Sequence, residues 1–330
     1  MKTEVKHSPT LAGADHVPQV SIIVPAYKTA AYIGETLKSV TEQTFTDYEV
    51  IVVNDGAPDT VEIEQALKPY LDQIIYLKQE NRGLSGARNT ALKRARGNYV
   101  ALLDSDDAWE PNYLAEQVSA MEADPTIDVL YPNAYLFGDP RAEGLTFMDL
   151  CPSAGEVTFR SLVTQQCNVF ISVIARRETL LQAGLFDESL RSSEDFDMWL
   201  RVLKNGGRIA YHSRPLVRSR RRPDSLSADT VWMCKHILRV LDNAGRNLVL
   251  DTAERDTLEQ GRARFYAMLR MAEGKKAFLD GDVKAAISGL AEANKFYGSQ
   301  KTTLALWLLR IAPGLLRWSY GVRDRLLRVS

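Results

Sequence analysis

Tyr99-Val100-Ala101-Leu102-Leu103-Asp104-Ser105-Asp106-Asp107 sets three carboxylates within four residues directly after an apolar run. The run reads as a buried strand. A carboxylate cluster at its end is costly unless positive charge sits against it. An Asp-x-Asp in that place most simply implies a divalent cation with a phosphorylated ligand.

Working outward, the segments before it alternate between strand and helix. Val20-Ser21-Ile22-Ile23-Val24, closed by Pro25, has the apolar continuity of a strand covered on both faces of a parallel sheet. Ile33, Leu37 and Val40 then recur at helical spacing. Val50 to Val53 predicts a second strand ending at Asn54-Asp55-Gly56, residues 61–71 a helix, and Ile74 to Leu77 a third strand. Leu84, Ala87, Ala91, Leu92 and Ala95 form a helical stripe with Gly97 as its C′ residue. Repeated βα units of this size predict a doubly wound α/β sheet whose chemistry lies at the carboxyl ends of the strands.

Further on, Val129-Leu130-Tyr131 predicts another strand. Residues 138–155, rich in Gly, Pro and acids, read as a mobile loop over the site. Residues 170–175 predict a strand. Residues 194–203 predict an amphipathic helix with Ser192 or Ser193 as N-cap, stopped by Gly206-Gly207. From about residue 230 strand signals fade and the composition becomes helical, which marks a domain boundary.

The 330 residues, 45% hydrophobic and 25% charged, suit one large α/β domain with an appendage. A net charge of -1 exerts no whole-molecule pull on nucleic acid or membrane. Cys151, Cys167 and Cys234 are far apart and without CxxC spacing, which argues against disulfides or a zinc site and for a reducing, cytoplasmic compartment. Residues 1–18 contain no apolar run after their basic residues and read as a disordered tail rather than a signal peptide.

Four motifs in order, Val20–Tyr27, Glu49–Gly56, Asn81–Asn89 and Leu103–Asp107, resemble those of family 2 glycosyltransferases of the GT-A fold. The resemblance covers roughly residues 19–228. It implies a Rossmann-like α/β fold, a mostly parallel central sheet flanked by helices, on residues 19–228, with residues 229–330 as a C-terminal helical extension. It implies inverting, metal-dependent transfer of a sugar from a nucleotide-diphosphate donor, UDP-linked in the first instance. The acceptor would be a hydroxyl of a saccharide or lipid-linked glycan, as in cell-envelope polysaccharide biosynthesis.

By the same resemblance, Pro25, Ala26, Tyr27 and Asp55 would face the nucleotide base, with Asp55 accepting from a base N–H. The residues alone imply only a carboxylate at a strand end, with a cap of the following turn as the alternative reading. Lys28 and Asn54 replace the Asn and Asp common in the family at those positions. Asp104, with Ser105 beside it, would lie near the ribose or the metal, and Asp106 would bind Mg²⁺ or Mn²⁺ directly. Asp107 reads as a cap of the following turn. Arg88 reads as a contact either to the diphosphate or to an acidic side chain. Ser193-Glu194-Asp195-Phe196 resembles the family's Glu-Asp motif, in which Asp195 would be the base and Glu194 its neighbour. Either acid could instead simply favour the first turn of a helix.

Arg218-Ser219-Arg220-Arg221-Arg222 packs four guanidinium groups into five residues, read as a loop able to close over a diphosphate. Arg222 stands where the family often has a His. No aromatic platform is interleaved, which speaks against nucleic acid. A sugar nucleotidyltransferase would need a Gly-rich loop with a Lys after the first strand, and Pro25-Ala26-Tyr27-Lys28 lacks the glycines. A non-catalytic nucleotide-sugar-binding scaffold is the other alternative. No QxxRW-like segment or series of apolar spans points to a membrane-embedded synthase.

Residues 272–296 read as a helical hairpin around Asp280-Gly281-Asp282, either a single tetratricopeptide-type unit or a plain packing hairpin. Residues 301–330 hold six Lys or Arg and one Asp among Leu and Trp residues. They are too interrupted by charge to span a bilayer. Peripheral contact with the inner face of a membrane and docking on the catalytic domain are both open for this segment.

Overall fold

The computed structural model describes residues 4–7, 16–225 and 228–314. Contacts divide the chain into two units, Met1–Ser225 with Arg246–Leu250, and Leu226–Gly245 with Asp251–Ser330.

The first unit is built on a nine-stranded sheet with the order β1-β4-β3-β2-β5-β8-β7-β9-β6. β2 (Val20–Ala26), β3 (Tyr48–Asp55), β4 (Ile75–Gln79) and β5 (Tyr99–Leu102) form its parallel half. Every residue of β2 and β5 is buried, as expected where helices cover both faces. These strands are joined through α1 (Ile33–Thr41), α2 (Thr60–Leu67) with a 3₁₀ turn at Lys68–Gln73, and α3 (Gly83–Arg94). The other half is mixed: β8 (Ile174–Arg176) pairs antiparallel to β5 and to β7 (Val129–Phe137). β9 (Ile209–Arg220) runs parallel to β7, and β6 (Ala108–Trp109) closes the edge antiparallel to β9. Around this half lie α4 (Tyr113–Ala123), α5 (Phe147–Leu150), α6 (Phe159–Val163), α7 (Arg177–Gln182) and α8 (Glu194–Lys204).

Several local expectations are corrected. Within the tail expected to be disordered, residues 4–7 form β1, antiparallel to β4. An open sheet edge recruits a strand through backbone groups, and that pairing leaves no apolar signature in the sequence. The rest of residues 1–15 lies outside the described residues. Gly97 is not a helix C′ residue: α3 ends at Arg94 with Ala95 in a non-helical, negative-φ conformation. Gly97 is instead a point of close approach, since a Cβ there would lie 2.6 Å from the backbone nitrogen of Ser21. The loop of residues 138–155 carries α5, whose N-terminus is closed by a reciprocal Thr146–Asp149 capping box. The strand expected over residues 170–175 is only the three residues of β8.

The second unit is helical, with α9 (Thr230–Asn247), α10 (Thr252–Asp280), α11 (Val283–Tyr297) and α12 (Gln300–Ile311). Asp251 and Glu254 cap the start of α10, Gly281 ends it at φ 91°, and Asp282 caps α11. α10 and α11 form the expected hairpin, crossing where Gly274 and Gly289 meet: a Cβ on Gly289 would sit 2.7 Å from the carbonyl oxygen of Arg270. Phe278, Ala286, Leu290, Leu306 and Leu309 form its core, and Ala285 is exposed. Among the described residues no helix is long and apolar enough to cross a membrane.

Candidate active site

The register of the parallel strands sets Ala26 beside Asn54, and Ile23 beside Leu102, so Tyr27, Asp55 and Asp104 follow the same edge of the sheet. The three carboxylates after β5 diverge at once. Asp104 turns to Arg88, whose Nη2 donates to Oδ1 over 2.8 Å. Asp106 faces Arg222, with 2.9 Å between Oδ2 and Nε. Asp107 is buried and accepts the Arg220 backbone N–H over 2.8 Å. It therefore ties the acidic turn to the end of β9 rather than only capping its own turn. Burial, reinforced by the charges of Asp104 and Asp106, pushes the Asp107 carboxyl well above the usual range. Burial, then Asp104, raises Asp106 as well, against the opposing pull of Arg222 and Arg220. Ser105 is buried and donates to Thr29 Oγ1 at 2.9 Å, so it joins two loops of the scaffold.

Arg88, on α3, is the buried link to the second acidic motif. Its Nη1 donates to Glu194 Oε1 over 2.5 Å, and the guanidinium lies 5.5 Å from the Phe186 ring. Of the two readings of Arg88, the acidic side chain is the contact found here. Ser193 begins α8 in the left-handed region, at φ 58°, and makes no side-chain cap. That conformation costs a non-glycine residue about 1–2 kcal/mol. It turns Glu194 back onto Arg88. Asp195 follows, with Oδ1 accepting the Phe196 N–H over 2.8 Å. A helix N-terminus favours ionised carboxylates, yet burial outweighs it for both acids. The Glu194 carboxyl is pushed up to about 7, by burial first and by Asp195 in addition, against Arg88; Asp195 is raised by burial too.

At the other end of the edge, Asp55 is buried, and its Oδ1 accepts from Gln79 Nε2 (2.7 Å) and the Arg82 backbone N–H (2.9 Å). It thereby pins the start of α3, which carries Arg88. Among the described residues no hydrogen bond reaches Asp55 Oδ2, which leaves that oxygen for a ligand N–H. Pro25 and Ala26 are buried at the end of β2, and Tyr27 is exposed. Lys28 then reverses the chain at φ 56°, held by Asp59, whose carboxylate accepts the backbone N–H groups of Lys28 and Ala30. Asn54 is internal, bonded to Thr60, Tyr76 and Ala57.

The basic run shapes this edge together with Tyr32, Glu35 and Phe137, which the sequence does not single out. Arg220 packs between Tyr32 and Phe137, 4.7 and 4.4 Å from their ring centres, and ion-pairs with Glu35. Arg218 lies over Phe137 and Arg222 over Tyr32. The first part of the run expected as a loop is the end of β9, and the two-residue spacing of Arg218 and Arg220 is strand periodicity. Asn89 holds the segment before α8 through Phe186, donating to its carbonyl and accepting its N–H, both at 2.8 Å. Arg82 pairs with Glu188 across the same gap.

Among the described residues no group of three or more His, Cys, Asp or Glu is placed to hold a metal ion by itself. The donor set still suits a hard divalent cation of the Mg²⁺ type, which takes one or two carboxylates and completes its shell with water and phosphate oxygens. Asp106 already faces a positive charge, and the buried Nε of Arg222 has no hydrogen-bond acceptor despite its ion pair. Carboxylates at Asp104 and Asp106 with guanidinium groups of Arg88 and Arg222 beside them fit a metal–phosphate ligand.

The family model described as "Glycosyl transferase family 2" matches residues 21–157. The uncharacterized glycosyltransferase RT0329 of Rickettsia typhi is 32% identical over 211 residues, covering 62% of this chain and 64% of the relative. The chain spans between 30% and 64% of the length of the first curated relatives it matches. S. aureus TarS 1-349 in complex with UDP-GlcNAc superposes with a TM-score of 0.60 at 21% identity, over 88% of this chain and 87% of that one. The mannosyltransferase PcManGT from Pyrobaculum calidifontis, in complex with GDP-Man and Mn²⁺, gives a TM-score of 0.60 at 21% identity, over 94% and 89%. With its four motifs in order along a matching sheet, this chain has a GT-A fold and, over residues 21–157, matches glycosyl transferase family 2.

Proposed function

We propose that the chain is an inverting glycosyltransferase that moves a sugar from a nucleoside-diphosphate donor to an acceptor hydroxyl. The observation that carries this reading is Arg88, which gathers Asp104 of the strand-end motif and Glu194 of the helix-start motif around one buried guanidinium. The leaving-group side and the base side of a single displacement are thereby brought together. Asp195 is the base. It takes the acceptor proton as the oxygen attacks, its Oδ1 steadied by the Phe196 N–H and its affinity for the proton increased by burial. Glu194, held by Arg88, keeps a charge or a proton beside it.

Asp55 accepts from the nucleobase through its remaining oxygen, a uracil N–H being the fitting donor, with Tyr27 and Pro25 alongside. Arg222, paired with Asp106, brings its guanidinium to the diphosphate. Asp104 and Asp106 would hold Mg²⁺ or Mn²⁺, which when bound supplies Lewis-acid stabilisation of the departing nucleoside diphosphate. The solved relatives' complexes with UDP-GlcNAc and with GDP-Man and Mn²⁺ support this class of donor. The acceptor is a saccharide or a lipid-linked glycan. Unpaired Cys151, Cys167 and Cys234 suit a cytoplasmic setting.

The deciding experiment is a screen of UDP- and GDP-sugars with Mn²⁺ for nucleoside-diphosphate release, with Asp195→Asn beside the parent. Turnover should fall about 100- to 10,000-fold in the variant while donor affinity is kept. Donor binding without turnover in the parent would instead support the scaffold reading.

A further inference from the structure

We propose that α12 is a docking surface for an anionic lipid bilayer. The helix has two apolar sides with different fates. Leu306 and Leu309 point into the core of the helical unit and fix the helix there. Leu304, Trp307 and Ile311, spaced three and four apart, remain 58%, 56% and 59% exposed and so form one outward stripe. Exposed Lys301 and Arg310 flank the stripe, one on each side.

The charge pattern selects the occupant. From residue 297 to residue 323 the sequence contains no Asp or Glu, while Lys301, Arg310, Arg317 and Arg323 fall within it. A second copy of the chain docked on this stripe about a two-fold axis would bring the same cations face to face without an acid to answer them. Lipid phosphates answer all of them at once. An apolar stripe containing Trp and bordered by Lys and Arg is the composition that settles at the boundary of headgroups and acyl chains. The chain leaving α12 continues the same chemistry, with Leu315, Leu316 and Trp318 among the arginines. Because its other side is held in the core, α12 can lie on a membrane and cannot cross it.

The test uses the full chain with vesicles of phosphatidylcholine alone or mixed with phosphatidylglycerol, with neither donor nor acceptor present, so its outcome is independent of the assignment of the cleft. Cosedimentation with the anionic vesicles alone is expected, and most of it should be lost as salt rises from about 0.1 M to about 1 M. Replacing Leu304, Trp307 and Ile311 by Ser should weaken binding at least about tenfold with an unchanged unfolding midpoint. Should that variant not fold, Trp307→Phe serves: quenching of tryptophan fluorescence by brominated lipid should drop in it. Equal binding to neutral vesicles, undiminished binding or quenching in the variants, or a dimer that the Ser variant converts to monomer in place of lipid binding would each overturn the proposal.

Discussion

Arg88 donates to Glu194 from one terminal nitrogen and to Asp104 from the other, at 2.5 and 2.8 Å, from a fully buried position. Asp104 and Glu194, from distant parts of the chain, are thus held by one planar group, whose fork geometry suits two carboxylates at once.

Removing that group leaves the buried Glu194 carboxylate and the partly buried Asp104 without their counter-charge. Arg88→Met is expected to cost about 3–5 kcal/mol of stability in urea unfolding. Arg88→Lys restores the charge without the fork and should recover only part of the loss. A cost below about 1 kcal/mol for Arg88→Met would mean that the linkage is not structural.

The raised carboxyl of Glu194 has a defined pH signature. Its folded value of about 7 lies above the 4.5 of the free side chain, so the folded state binds more protons between those two values. Stability from this group is fully present below pH 4.5 and is lost as pH rises through 7. Asp195, coupled to it and raised in the same direction, adds to the slope. Denaturant midpoints should fall from pH 4.5 to pH 7 in the parent and fall less steeply in Glu194→Gln. Parallel curves would refute the assignment.

Asp106 provides the test of the cation. Isothermal titration with UDP should show affinity raised at least about tenfold by Mn²⁺ in the parent, with the gain abolished by chelation or by Asp106→Asn. If UDP binds the parent equally well with a chelator present, Asp106 answers Arg222 and no metal.

The helical unit can be tested apart from any chemistry. Gly289→Ala places a Cβ 2.7 Å from a carbonyl oxygen and 2.9 Å from the Gly274 Cα, backbone that cannot swing aside. Its overpacking cost of about 1–3 kcal/mol should exceed the gain in helix propensity, lowering the thermal midpoint. Gly34→Ala on α1 meets nothing within 4 Å and should raise that midpoint, by up to about 1 kcal/mol in stability.

Much of this arrangement was legible one-dimensionally. The parallel half of the sheet could be read because strands covered on both faces carry unbroken apolar runs, Ile22–Val24 in β2, Val50–Val53 in β3, Ile75–Leu77 in β4 and Tyr99–Leu102 in β5. Asp55, Arg88, Asp104, Asp106, Glu194 and Asp195 could be singled out because they stand in motifs that resemble those of family 2 glycosyltransferases; taken alone, several of them also had a plain structural reading. The mixed half was less legible: β8 is three residues long, and β9, interrupted by Arg214, Arg218 and Arg220, lacks the apolar run that marks a buried strand. β1 left no side-chain signal at all, since it is held by backbone pairing with β4.

The local order of apolar and polar residues determined which segments became strands and helices, because periodicity acts over neighbours and is written in the chain itself. Which charges meet was decided only in three dimensions. Asp107 goes to Arg220, Asp106 to Arg222, and Asp104 and Glu194 to the same Arg88. Ion pairing depends on distance through space and on loss of solvent, and neither quantity exists until the sheet has closed around its helices.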